Sequence, residues 1–223
     1  IMGSGIACHF ANIGVEVLLL DIVPRELNEK EKQKGLSLDD KVVRNRIVND
    51  SLQSALKSKP SPIYHQKFAS RIHTGNLDDD IQKVSEVDWI IEVVVERLDI
   101  KKQVFDNLEK HRKQGTLITS NTSGIPIHFM TEGRSDDFKK HFCGTHFFNP
   151  PRYLRLFEII PGPDTSEEVL DFLHMYGEKF LGKKPVLAKD TPAFIGNRIG
   201  IFSIMSLFHQ VKEMGMTIEE VDK

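Results

Sequence analysis

From Val87 to Val95 the chain reads Val-Asp-Trp-Ile-Ile-Glu-Val-Val-Val, a nearly continuous apolar run. A strand of this kind is expected in a parallel sheet covered on both faces, so the rest of the chain must supply the covering helices. Glu96 closes the run. A helix is predicted from about Leu98 to His111 with Val104, Phe105 and Leu108 inward, followed by a strand from Leu117 to Ser120 that runs into Asn121-Thr122-Ser123-Gly124. Strand, helix, strand with polar residues at the carboxyl ends is the arrangement in which open α/β sheets bind ligands.

The beginning of the chain fits the same architecture. Small residues from Met2 predict a helix to about Ile13, ended by Gly14, and Val15 to Leu20 predict an apolar strand ending on Asp21. Small-residue helix, glycine, strand and terminal acid make the second half of a dinucleotide-binding βαβ unit, with Gly3 as the third glycine of G-x-G-x-x-G. Asp21 would accept hydrogen bonds from the adenosine ribose and repel a 2′-phosphate, which selects NAD over NADP. The first strand and first two glycines of such a unit are missing from the sequence, so a fragment is expected.

Gly144-Thr145-His146-Phe147-Phe148-Asn149-Pro150 and Arg155-Leu156-Phe157-Glu158-Ile159-Ile160 read as two buried strands that each carry a polar residue. The two residues satisfy each other if Glu158 accepts the imidazole N–H, which fixes the tautomer and leaves His146 free to act as a general base. The plainer reading is a histidine satisfied at a strand end. Between these regions, Arg25 to Pro60 predict one long amphipathic helix, with a Ser37/Asp40 capping box and Arg44, Arg46, Lys57 and Lys59 on its charged face. That face could meet a phosphorylated ligand or simply be solvated.

After a charged turn at Arg134 to Lys140, the order is the His146 strand, the Glu158 strand, a helix from Asp164 to Leu181 capped by Thr165 or Ser166, and a strand from Lys184 to Ala188. The apolar helical stretch opened by Asp190-Thr191-Pro192 has no sheet to cover. The fold class is therefore α/β: a doubly wound, mostly parallel, Rossmann-type sheet with an inserted helical arm at about 25–60, followed by the start of an all-α domain. Residues 1–189 form the dinucleotide domain and 190–223 the beginning of the helical one.

With 30 basic and 32 acidic residues the formal charge is -2, which gives no field to attract nucleic acid. Cys8 and Cys143 form no C-x-x-C pair, which argues against a zinc site and for a reducing, cytoplasmic setting. The apolar run from Ile199 to Phe208 falls short of the ~20 residues of a membrane span, so no membrane association is expected.

The segments Met2-Gly3-Ser4-Gly5-Ile6-Ala7, Asp21, Glu92-Val93-Val94-Val95-Glu96 and Ser120-Asn121-Thr122-Ser123 resemble a known family in order and spacing. So do His146-Phe147-Phe148-Asn149-Pro150, Glu158, and Asp190-Thr191-Pro192 with Asn197-Arg198. The family is the L-3-hydroxyacyl-CoA dehydrogenases of fatty-acid β-oxidation, closest to long bacterial members in which dehydrogenase domains precede an enoyl-CoA hydratase region. The resemblance implies an NAD-dependent enzyme acting on an acyl-CoA substrate, with His146 as base and Glu158 as its partner. It implies that Ser123 and Asn197 hold the substrate, Ser123 also lying near the cofactor, and that Glu96, Lys101 and Asn149 contact NAD. Ser51 falls at a CoA-contact position, with Lys57 or Lys59 as the accompanying lysine. A homodimer through the helical C-terminal domain is the expected assembly. An NAD-binding module without turnover and a lysine-type β-hydroxyacid dehydrogenase are the alternatives.

Overall fold

The computed structural model describes residues 2–222; Ile1 and Lys223, the outer ends of the two predicted domains, lie outside them. Helix α1 (Met2–Asn12) leads through Gly14 into strand β1 (Val17–Asp21). The predicted long arm helix is instead three pieces, α2 (Glu29–Gln33), α3 (Lys41–Arg44) and α4 (Arg46–Lys57). The break after α2 falls at Gly35, which adopts φ 66°, a conformation that ends a helix and that glycine takes without penalty. The capping box sits at Asn28 and Glu31 rather than at Ser37 and Asp40; Asp40 binds back to Ser37 in a turn that precedes α3. Strand β2 (Ile72–Asn76) then pairs in parallel with β1, Val17 opposite Ile72 through Asp21 opposite Asn76.

A second sheet has the order β3 (Trp89–Glu92), β4 (Leu117–Ser120), β5 (Phe142–Phe147), β6 (Leu156–Pro161) and β7 (Lys184–Leu187). Its pairings are parallel except β5 with β6, which is antiparallel. Strand β3 is shorter than the apolar run that predicts it. It stops where the Glu92 carboxylate accepts the amide of Val94 at 2.6 Å, drawing the backbone out of the ladder. Helices α5 (Leu98–His111), α6 (Ile127–Thr131) and α7 (Asp136–Lys140) follow β3, β4 and α6 respectively. The expected charged turn at 134–140 is in large part α7, capped by Ser135, because Phe138 buries completely against Phe105 and Phe142. Helix α8 (Glu167–Lys179) precedes β7, and α9 (Gly196–Met214) and α10 (Ile218–Val221) end the described chain.

The two faces of the five-stranded sheet are covered by different helices. Phe105, Ile127, Met130, Phe138, Phe142 and Ile160 pack on one face, while Ile6, Phe10, Cys143, Phe147, Phe157, Ile159 and Leu173 pack on the other. Each fully buried large apolar side chain contributes about 1.5–3 kcal/mol, so this interior can carry a small number of polar residues. Helix α1 also reaches the β1–β2 pair, where Ala7, Cys8 and Ala11 pack with Leu52, Ile63 and Ile72. None of the described helices is long and apolar enough to cross a membrane.

Candidate active site

Side chains alternate along a strand, so Phe142 and His146 of β5 share one face, and Glu158 and Ile160 of β6 share the same one. The antiparallel register sets His146 directly opposite Glu158. Their side chains meet with Nδ1 of His146 2.7 Å from Oε2 of Glu158, and both are buried, 4 % and 0 % exposed. A carboxylate only accepts, so Nδ1 carries the proton and Nε2 presents its lone pair. Phe148 and Phe194 flank the imidazole, with ring centroids at 4.4 and 5.9 Å.

The second carboxylate oxygen, Oε1 of Glu158, accepts the backbone amides of Ile195 and Gly196 at 2.9 and 2.8 Å. Burial raises the Glu158 pKa. The hydrogen bonds from His146, Gly196 and Ile195 outweigh it, and the net effect holds the carboxyl below its ordinary range. Ile195 ends a turn and Gly196 opens α9, so the helix begins later than Asp190, where it is expected to open. Ala193 and Phe194 sit at φ 62° and 47°, which costs non-glycine residues on the order of 1–2 kcal/mol each. The turn persists because Phe194 is buried and Asp190 accepts the amides of Ile127 and His128 at 2.8 and 3.1 Å.

Ser123 and Asn197 are brought together: the Asn197 side chain donates to the Ser123 carbonyl at 3.3 Å, and Ser123 itself is exposed. The loop carrying Ser123 is held by Glu96, whose Oε1 accepts from Thr122 and from the amides of Ser123 and Gly124. Burial raises the Glu96 pKa, but these donors and Lys101 outweigh it and leave it lowered. Lys101 is fully buried, with Nζ 2.9 and 3.0 Å from the two oxygens of Glu92 and 3.3 Å from Glu96. Whatever Lys101 does for a ligand passes through those carboxylates.

The other expected ligand contacts are dispersed. Asp21 ends β1 half-buried, with Oδ1 accepting the amide of Ile22 at 2.8 Å. Gly3 opens α1 near Val93; an added Cβ there would stand at an ordinary 3.8 Å, and the tighter approach is at Gly5, 3.2 Å from Pro151. Ser51 on α4 touches Ser4 of α1, Oγ to Oγ 2.8 Å. Lys57 and Lys59 are exposed, but the other half of the basic face is committed within the chain: Arg44 pairs with Asp79 and Arg46 with Glu31. Asn149 is exposed in the loop after β5, a loop held from below by buried Lys183 through the carbonyls of Pro151 and Leu154.

Three contributors escape a reading of side-chain motifs. Asn121 accepts the amide of Phe147 at 2.8 Å and so fixes the end of β5; Glu92 anchors Lys101 and Ser120; and the Ile195 and Gly196 amides hold Glu158. A polar residue inside an apolar strand, as with Glu92, was the available signal for one of them. Backbone donors leave none.

The family described as "3-hydroxyacyl-CoA dehydrogenase, NAD binding domain" matches residues 1–191. Over 222 residues the chain is 52 % identical to a probable 3-hydroxyacyl-CoA dehydrogenase of Bacillus subtilis, covering all of this chain and 28 % of that protein. It is 41 % identical to a probable 3-hydroxyacyl-CoA dehydrogenase of Deinococcus radiodurans, again over the whole chain, and spans 60 % of that relative. In structure it is similar to (S)-3-hydroxybutyryl-CoA dehydrogenase from Ralstonia eutropha, with a TM-score of 0.73, 27 % identity, 98 % of this chain covered and 71 % of that one.

Proposed function

The chain belongs to the family of NAD-binding domains of 3-hydroxyacyl-CoA dehydrogenases, and from that premise we propose that it serves the oxidation of (S)-3-hydroxyacyl-CoA to 3-ketoacyl-CoA in fatty-acid β-oxidation. The observation that carries this reading is the contact between His146 Nδ1 and Glu158 Oε2. Nε2 of His146 takes the proton of the 3-hydroxyl as hydride leaves C3, and the Glu158 carboxylate stabilises the imidazolium. NAD, when bound, supplies the hydride acceptor.

The residues present fit that cofactor. The amides of the first turn of α1 suit a diphosphate, and Asp21, at the carboxyl end of β1, suits ribose hydroxyls. Glu96 holds the Ser123 loop, and Ser123 and Asn197, already joined, would take the acyl carbonyl and its neighbourhood. Ser51 and Lys57 lie on α4 and Lys59 just beyond it, and this reading assigns them to the CoA moiety. A cytoplasmic homodimer is the setting that goes with this reading.

The test is NADH consumption by the whole protein with acetoacetyl-CoA. Steady loss of NADH absorbance supports the reading. NAD binding with no loss of NADH would leave a binding module, and turnover of a free hydroxy acid in place of the thioester would point to the lysine-type chemistry.

A further inference from the structure

The turn from Asp190 to Gly196 touches several parts of the site at once. Asp190 is turned to α6, binding the amides of Ile127 and His128 and, at 2.6 Å, the His128 ring. Phe194 meets the His146 ring edge-on, and the next two amides end on Glu158. Gly196 is also the first residue of α9, and an added Cβ there would stand 2.7 Å from Cζ of Phe148, the ring that packs on His146 from the other direction. A side chain there would displace either the Phe148 ring or the start of α9.

Resting on the reading of His146 and Glu158 as the catalytic pair, we propose that Gly196 is a positioning residue for it. By letting the start of α9 lie against Phe148, it brings two amides onto Glu158 and makes the charge of the pair conditional on the seating of α9. Of the titratable groups on the surrounding elements, His146 on β5 faces Glu158, Asp190 is spent on α6, and Arg198 on α9 is exposed. Losing the amides therefore lets the Glu158 pKa rise. An ionised Glu158 is needed for turnover, so the acidic limb of the rate profile should move to higher pH.

The experiment is the pH dependence of acetoacetyl-CoA reduction by NADH in the whole protein. Gly196→Ala should lower kcat roughly ten-fold or more, the equivalent of one lost charge-assisted hydrogen bond, with KM within two-fold, and should shift the acidic limb upward. A second variant carries the α-hydroxy acid analogue at Ile195, which replaces that one amide N–H by an ester oxygen and leaves every side chain in place. It should shift the limb in the same direction by less, and NAD affinity reports that either protein is folded. If Gly196→Ala fails to bind NAD, the ester variant decides. An acidic limb at the wild-type position in the folded variants overturns the proposal, because a merely structural lesion lowers the rate at every pH. His146→Ala separates the two readings: near-normal turnover in that variant removes the pair itself, whereas its inactivity beside an unmoved limb removes only the role of Gly196.

Discussion

Strands β5 and β6 and helix α9 invert the usual relation between polarity and burial. The strands carry a histidine and a glutamate at 4 % and 0 % exposure, while α9, with Ile199, Ile201, Phe202, Ile204, Met205, Leu207 and Phe208, has no buried residue among those described. The difference shows that burial follows the supply of partners and not side-chain polarity alone. Glu158 tolerates the interior because three donors reach its two oxygens. Helix α9 keeps its shape in the open through its own backbone ladder and the Gly215 cap at φ 65°.

The contrast can be broken at either end. The largest expected effect is at the buried end: His146→Ala in the whole protein should cost about 10²–10⁴ in kcat, with NAD affinity unchanged, as seen by steady-state kinetics and cofactor titration. Retained turnover would reduce the buried pair to a packing device.

A second buried histidine sharpens the comparison. His9 on α1 donates from Nε2 to the Leu181 carbonyl at 3.0 Å, and its Nδ1 has no partner. Burial first, then the charge of Lys183, lowers its pKa to about 4. The fold thus binds neutral His9, and its stability is intact above the unfolded value near 6.5 and lost as pH falls from there toward about 4. Over that window the wild type should lose on the order of 3 kcal/mol relative to His9→Phe in urea unfolding. A flat difference would mean that His9 protonates in place.

The smallest effect is expected at the exposed end. Phe202 is 72 % exposed, so Phe202→Ser should change stability by less than about 0.5 kcal/mol in thermal melts of this chain. A larger loss would show that α9 is covered in solution.

Much of this was legible in the sequence. The apolar run around Trp89 announced a sheet covered twice, and two polar residues in the middle of apolar strands announced the His146–Glu158 contact. Period-two alternation with antiparallel pairing then makes the contact geometric. The arm is less continuous than its periodicity suggests, because Gly35 ends α2 at φ 66° and Asn45 separates α3 from α4 while the apolar spacing carries on past it. The amides on Glu158 and the turn that delivers them were not legible at all. A backbone N–H has no letter in the sequence, and Ala193 and Phe194 give no local sign of positive φ. Lys101, expected to contact NAD, is buried because Glu92, nine residues earlier, accepts its hydrogen bonds across the end of the sheet.

Strand β1 is more apolar than β4, yet its five residues are only half-buried whereas every residue of β4 is interior. Among the described residues β1 pairs with β2 alone, whereas β4 has a hydrogen-bonded neighbour on each side. Strand β4 should therefore hold its amide hydrogens longer than β7, which ends the same sheet with a neighbour on one side only among the described residues.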